Sequence, residues 1–179
     1  MTGRYSKEDG KKLLLLARES IVEQFTGIKP KIPNGKFQEK RGVFVTLHKN
    51  NKLRGCVGFP YPSLALSEAV YKAAKSAAFY DPRFISLGRE ELNQVQIEIS
   101  ILSVPEQCSV KDIKVGEDGV IIEKGSNSGL FLPQVWEQIP DKKQFLENLC
   151  LKAGVSSDVW EKDPSLKLFK FRVQAIKED

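Results

Sequence analysis

The sequence predicts an α+β fold, a largely antiparallel sheet flanked by helices. Two β-rich runs, residues 42–59 and 118–132, fold back through short turn segments rather than through helices. Helical periodicity stands apart from them, at residues 6–27, 63–79 and 145–153. Strands and helices do not alternate regularly, and no Gly-rich turn of dinucleotide-binding form links a strand to a helix, which disfavours a Rossmann-type arrangement.

In chain order, Ser6-Lys7-Glu8-Asp9 offers a capping box ahead of Leu13, Leu16, Ala17, Ile21 and Phe25, with Gly27 as the stop. Pro30, Pro33, Asn34 and Gly35 mark a loop. Val43, Phe44, Val45 and Thr46 form one strand, Lys49-Asn50-Asn51-Lys52 a turn, and residues 53–59 the returning strand, ended by Phe59-Pro60-Tyr61-Pro62. Ser63 is the expected cap of a second helix, whose alanines let it lie close on the sheet, and Pro82 stops it. Residues 89–92 add a helical turn. Val95, Ile97, Ile99 and Ile101 then alternate with Gln94, Gln96, Glu98 and Ser100, a strand with one polar face. A hairpin around residues 125–129, a helix through Phe145 and Cys150 ending at Gly154, and a single closing strand over residues 166–176 complete the expectation.

With 179 residues the chain suits one domain of ordinary size, with a modest lobe at most, and is long enough to bury a substantial core. The apolar run Leu13-Leu14-Leu15-Leu16-Ala17 is bracketed by charges and too short to cross a bilayer. The start resembles no secretion signal, so a cytoplasmic location is expected. Cys56, Cys108 and Cys150 are widely spaced, which indicates neither a disulfide framework nor a zinc knuckle. The net charge of +5 admits an anionic partner, but the densest basic region (Lys29, Lys31, Lys36, Lys40, Arg41) lacks interleaved aromatic platforms and reads as solvated surface. Nucleic-acid binding is the weakest functional class.

Chemistry concentrates at Leu53-Arg54-Gly55-Cys56-Val57-Gly58. The spacing of Arg54 and Cys56 projects both from one strand face, where the guanidinium would favour a thiolate or hold a carboxylate or phosphate. Gly55 and Gly58 mark a close backbone approach or a bulge. Alternatively Arg54 pairs with Glu98 and holds sheet register. His48 is the only histidine. A two-residue turn would set Cys56 opposite Val45, and a turn one residue longer opposite Phe44. Either places His48 roughly 10 to 13 Å from Cys56 along the ladder, beyond hydrogen-bond reach. Asp81 and Arg83 suit a helix-ending turn, Glu98 and Ser100 a polar sheet face, and the residue 125–129 loop a plain hairpin turn. No set of residues has metal-ligand spacing.

Gly42-Val43-Phe44-Val45-Thr46-Leu47, the Arg-Gly-Cys stretch, Ala77-Ala78-Phe79-Tyr80-Asp81-Pro82-Arg83-Phe84, Glu98-Ile99-Ser100-Ile101-Leu102 and Leu132-Pro133-Gln134-Val135 together closely resemble the AMMECR domain family, with Val57 where isoleucine is usual. The resemblance spans nearly the whole chain. It implies a larger sheet-and-helix part and a smaller lobe, separated by a cleft to which the Arg-Gly-Cys motif contributes, and it brings no established activity. Prokaryotic members carry the name AmmeMemoRadiSam system protein A, implying association with a Memo-type protein and a radical SAM protein. The expected function is therefore a thiol-dependent enzyme or small-molecule-binding component with Cys56 as catalytic residue. Arg54, Gly55, Gly58, Asp81, Arg83, Glu98, Ser100 and Gln134 would contact an unidentified small molecule. A non-catalytic protein-docking or regulatory module is the alternative. No cofactor, metal or oligomeric state is implied.

Overall fold

Helix α1 (Lys7–Thr26) begins at Ser6, whose hydroxyl accepts the Asp9 N–H at 3.2 Å while the Asp9 carboxylate accepts the Ser6 N–H at 2.8 Å. It ends at Gly27, which takes the left-handed conformation (φ 71°) and returns its N–H to Glu23. The computed structural model describes residues 5–178 of the chain. Strands β1 (Gly42–Lys49) and β2 (Lys52–Phe59) form the expected hairpin across Asn50 and Asn51, both with positive φ (52° and 59°), the geometry a tight antiparallel turn requires. Helix α2 (Leu66–Phe79) starts three residues beyond Ser63 and has no side-chain cap. Its opening is supported by backbone instead: Leu66 N–H donates to Glu39 at 2.9 Å, and Arg41 N–H to Leu64 at 3.3 Å. With these bonds made, the turn needs no hydroxyl cap. Strand β3 (Val95–Leu102) follows a 3-10 turn at Arg89–Glu91.

Strands β4 (Glu106–Cys108), β5 (Gly119–Lys124) and β6 (Asn127–Phe131) come next, then helices α3 (Lys142–Lys152) and α4 (Val159–Lys162) and strand β7 (Lys167–Phe171). They form a second sheet in the order β4-β7-β5-β6. The β5–β6 turn is Gly125-Ser126, with Gly125 at φ 59°, so this loop is the plain hairpin expected. α3 ends as Gly154 turns left-handed (φ 77°) and Val155 donates back to Cys150 at 3.1 Å. The Trp136 and Phe145 rings stack at 3.5 Å in the core of this unit.

The expected single closing strand is two strands. The chain breaks at Arg172, and β8 (Val173–Lys177) joins the first sheet, giving the order β2-β1-β3-β8. The cause is local: the Arg172 guanidinium is drawn to Glu117 at 2.6 Å and Asp118 at 2.5 Å, and its N–H donates to Ser103 Oγ at 3.0 Å, so it leaves the ladder. Two compact units result. Within the described residues, one runs up to Leu102 and resumes at Gln174; the other is Ser103–Val173.

In the first unit Val43, Val45, Leu47, Ile97 and Ile99 alternate onto the sheet face that α1 and α2 cover, and join their leucines and alanines in one core. The opposite face carries Phe44, Thr46, His48, Glu98 and Ser100. No helix among the described residues is long and apolar enough to cross a membrane.

Candidate functional site

The two-residue turn pairs Lys49 with Lys52 and His48 with Leu53, as the first of the two expected registers has it, but beyond that point the register shifts and Cys56 takes neither expected partner. His48 pairs with Leu53 and Leu47 with Gly55, so Arg54 is the extra residue of a β-bulge and Cys56 lies opposite Thr46. The bulge sits next to Gly55, where α2 crosses the strand so closely that any Cβ would overlap the Ala77 carbonyl oxygen. Residue 55 must therefore face the helix, and the extra residue before it reconciles that requirement with the tight turn. The shift by one reverses the predicted relation to His48. Thr46 and His48 are two apart on β1, so His48 now shares a face with Cys56, about 6.8 Å further along at the usual strand rise. The sulfur's hydrogen bond is nevertheless with Thr46, whose Oγ1 donates at 3.2 Å.

Cys56 lies on an edge strand, and its outward backbone groups are met by side chains where a neighbouring strand would be. Asp81 Oδ2 accepts the Cys56 N–H at 2.8 Å, and Arg83 Nη2 donates to the Cys56 carbonyl at 3.3 Å. The two are locked to each other: Arg83 Nε and Nη2 reach Asp81 Oδ1 and Oδ2 at 3.0 and 2.7 Å, and the Arg83 N–H donates to Oδ1 at 3.1 Å. Asp81-Pro82-Arg83 can do this because α2 has just ended and Asp81 folds onto the backbone two residues on. The Arg83 fork holds the buried Asp81 carboxyl below the usual carboxylate range, with the Cys56 N–H assisting against desolvation. Asp81 in turn raises the Arg83 pKa through the same hydrogen bonds, against desolvation. The arginine in contact with Cys56 is thus Arg83, through the backbone carbonyl.

Arg54 is engaged elsewhere. Its Nε and Nη2 donate to Glu91 Oε1 and Oε2 at 3.1 and 2.9 Å, so its partner is Glu91 and not Glu98. Lys49 Nζ and the Gly88 N–H reach the same carboxylate at 2.9 and 3.1 Å. The Arg54 fork, with Lys49 and Gly88 behind it, lowers the Glu91 pKa to about 2 despite desolvation. Arg54 is 9% exposed and its Nη1 has no partner among the described residues.

Register sets the remaining candidates in two rows across three strands: Cys56, Thr46 and Glu98, then Gly58, Phe44 and Ser100. Gly58 leaves room for the Phe44 ring, which a Cβ would overlap. The sequence matches the AMMECR1 family over residues 14–176. The chain belongs to that family. A Methanothermobacter thermautotrophicus protein is 40% identical over 186 residues, which cover 97% of this chain and 96% of the relative. A Methanocella arvoryzae protein is 44% identical over 187 residues, 97% and 92%. The crystal structure of the uncharacterized protein PH0010 from Pyrococcus horikoshii has a TM-score of 0.84 at 40% identity, covering 95% of this chain and 91% of that one.

In this AMMECR1 chain Glu98 is half-buried and Ser100 only 3% exposed, and neither side chain makes a hydrogen bond or ion pair with any described residue. Gln134 lies in the second unit, on the 3-10 turn Pro133–Glu137, and lines a cavity of about 310 Å³ with Val115, Gly116 and Trp136. Cys108 and Cys150 belong to the same unit, and burial pushes both thiols up. In the basic region Lys36 pairs with Asp9 and Arg41 with Glu39. Thr46 and Glu91 escaped the sequence reading. Thr46 follows once a bulge is placed at Arg54, which Gly55 hints at; nothing in the sequence marks Glu91 as the partner of a residue 37 positions earlier.

Proposed function

We propose that the protein is a thiol-dependent enzyme or small-molecule-binding protein that works from the face of the first sheet opposite α1 and α2. Cys56 is its nucleophile or covalent tether. Glu98, Ser100 and Gly58 border the bound molecule. Asp81 and Arg83 fix the Cys56 backbone, and the outer N–H groups of Arg83, whose side chain is 55% exposed, orient an anionic group. Arg54 and Gly55 set the bulge that places the thiol. One observation carries this reading: both outward backbone groups of Cys56 are pinned, while its half-buried sulfur is left with a hydroxyl partner on a polar face. Rigid support of a nucleophile is what covalent chemistry needs.

The test is mass spectrometry of the native protein and of Cys56→Ala as each is purified. An adduct on Cys56, or a small molecule that copurifies with the wild type alone, is expected. The same molecules in both, with no adduct, would remove this function.

Tyr80 (70% exposed) and Ile85 (84% exposed) flank the Asp81–Arg83 turn and favour a second reading, docking of a protein partner. A Memo-type or radical SAM protein is the partner the family resemblance suggests. Capture of such a partner by the wild type and by Tyr80→Ser/Ile85→Ser alike would count against docking here.

A further inference from the structure

We propose that the first unit carries a second ligand site, apart from Cys56, which takes a small aromatic carboxylate bearing a hydroxyl group. The site is a cavity of about 390 Å³ formed by the loop after α1 and the first turns of α2, within the size range of small-molecule pockets. Its wall is fixed in advance. The loop runs into a 3-10 turn (Gly35–Gln38), and the residues after that turn are tied to the start of α2 by the bridge between Lys40 and Ala65 and by the backbone bonds of Leu66 to Glu39 and Arg41 to Leu64.

The occupant follows from what the lining leaves unspent. The charged residues that line the cavity are Lys29, Glu68 and Lys72. Glu68 and Lys72 pair at 2.7 Å, whereas Lys29 pairs with no described residue. Glu23 is already held by Lys75 at 3.3 Å and by the Tyr71 hydroxyl at 2.7 Å. One positive charge is left over, which suits a single carboxylate. Pro30, Ile32 and the Tyr71 ring offer an apolar wall to the body of the ligand. Ser67 marks the other end. It is 1% exposed and its oxygen accepts Gln38 Nε2 at 3.2 Å, but its own proton goes to no described residue. Ser20, as deeply buried on α1, gives its proton to the Leu16 carbonyl four residues back at 2.6 Å. Ser67 cannot, because α2 begins at Leu66 and residue 63 lies outside the helix. A buried hydroxyl with an unspent proton in a cavity wall is a donor for a ligand. Gln38 gives its two Nε2 protons to Ser67 and to the Pro33 carbonyl, which leaves Oε1 as an acceptor. A donor beside an acceptor suits a ligand hydroxyl, which uses both.

The test is titration of the isotope-labelled whole protein with para-hydroxybenzoate, followed by amide NMR shifts. Saturable shifts are expected at Ser67, Glu68 and Lys72, while Val22 and Thr26, which line a neighbouring hollow that also includes Lys29, stay unmoved. Lys29→Gln should weaken para-hydroxybenzoate about tenfold and leave the uncharged para-hydroxybenzamide unchanged. Ser67→Ala should weaken para-hydroxybenzoate about fivefold and leave benzoate, which lacks the hydroxyl, unchanged. Should Ser67→Ala fail to fold, Gln38→Ala, at an exposed side chain, removes the acceptor and carries the same comparison. No saturable shift, shifts confined to Val22 and Thr26, or equal binding of para-hydroxybenzoate by the wild type and Lys29→Gln overturns the site. Inorganic phosphate or benzoate binding as tightly as para-hydroxybenzoate overturns the ligand class.

Discussion

Cys56 is positioned by carboxylates that touch no part of its side chain. Asp81 takes its N–H directly, and Glu91 anchors Arg54 two residues before it. Asp81→Ala takes the partner from a part-buried edge-strand N–H and is expected to cost about 1–3 kcal/mol. Glu91→Gln strips the counter-charge from the buried Arg54 and is expected to cost about 3–5 kcal/mol; both are measured by urea unfolding. The two carboxyls also fix a pH dependence. Each has a folded-state pKa below its unfolded value, so the unfolded chain binds more protons in mild acid. Their contribution is complete above pH 4.5 and is lost as the pH falls toward about 2. Melting temperature should fall across that interval, and less steeply in Glu91→Gln; equal slopes would mean that the Glu91 cluster does not drive acid unfolding. At this scale the residues of the motif were legible, because thiol, guanidinium and glycines declare their chemistry in one stretch. Their partners were not, because Glu91 and Asp81 are brought in by turns whose positions depend on how α2 ends.

The bulged hairpin is the element on which the site depends. Its turn was readable from Asn50-Asn51, since few residue pairs accept two left-handed positions. The pairs next to the turn were readable with it, but the register beyond Leu53 was not, because the extra residue answers a tertiary contact: Gly55 lies against the α2 backbone. Gly55→Ala is therefore expected to destabilise the protein by at least about 1–3 kcal/mol and to loosen α2. Slow-exchanging amides of Leu47 and Val57 in hydrogen exchange should lose protection with it. A substitution as mild as one at an exposed strand glycine would show that α2 does not set the register.

At the scale of the molecule, the first unit is completed only by the last strand. Ile176 packs against Gly10, and Glu178 holds Arg18 and accepts the Ile97 N–H at 2.9 Å. A chain ending at Arg172 lacks β8 and should lose on the order of 5 kcal/mol, enough to unfold a domain of ordinary stability; circular dichroism of the truncated chain checks this. The two sheets were hidden in the sequence because alternation runs through residues 166–176 unbroken while the strand changes sheet at Arg172. The cysteines provide the most direct measurement, since Cys56 and Cys108 are similarly half-buried and Cys150 is buried. Iodoacetamide rates at all three should be followed in the native protein by peptide mass spectrometry. Cys56 is expected to react about tenfold faster than Cys108, with Cys150 slowest. A Cys56 rate at or below that of Cys108 would contradict the assignment of Cys56 as the working thiol.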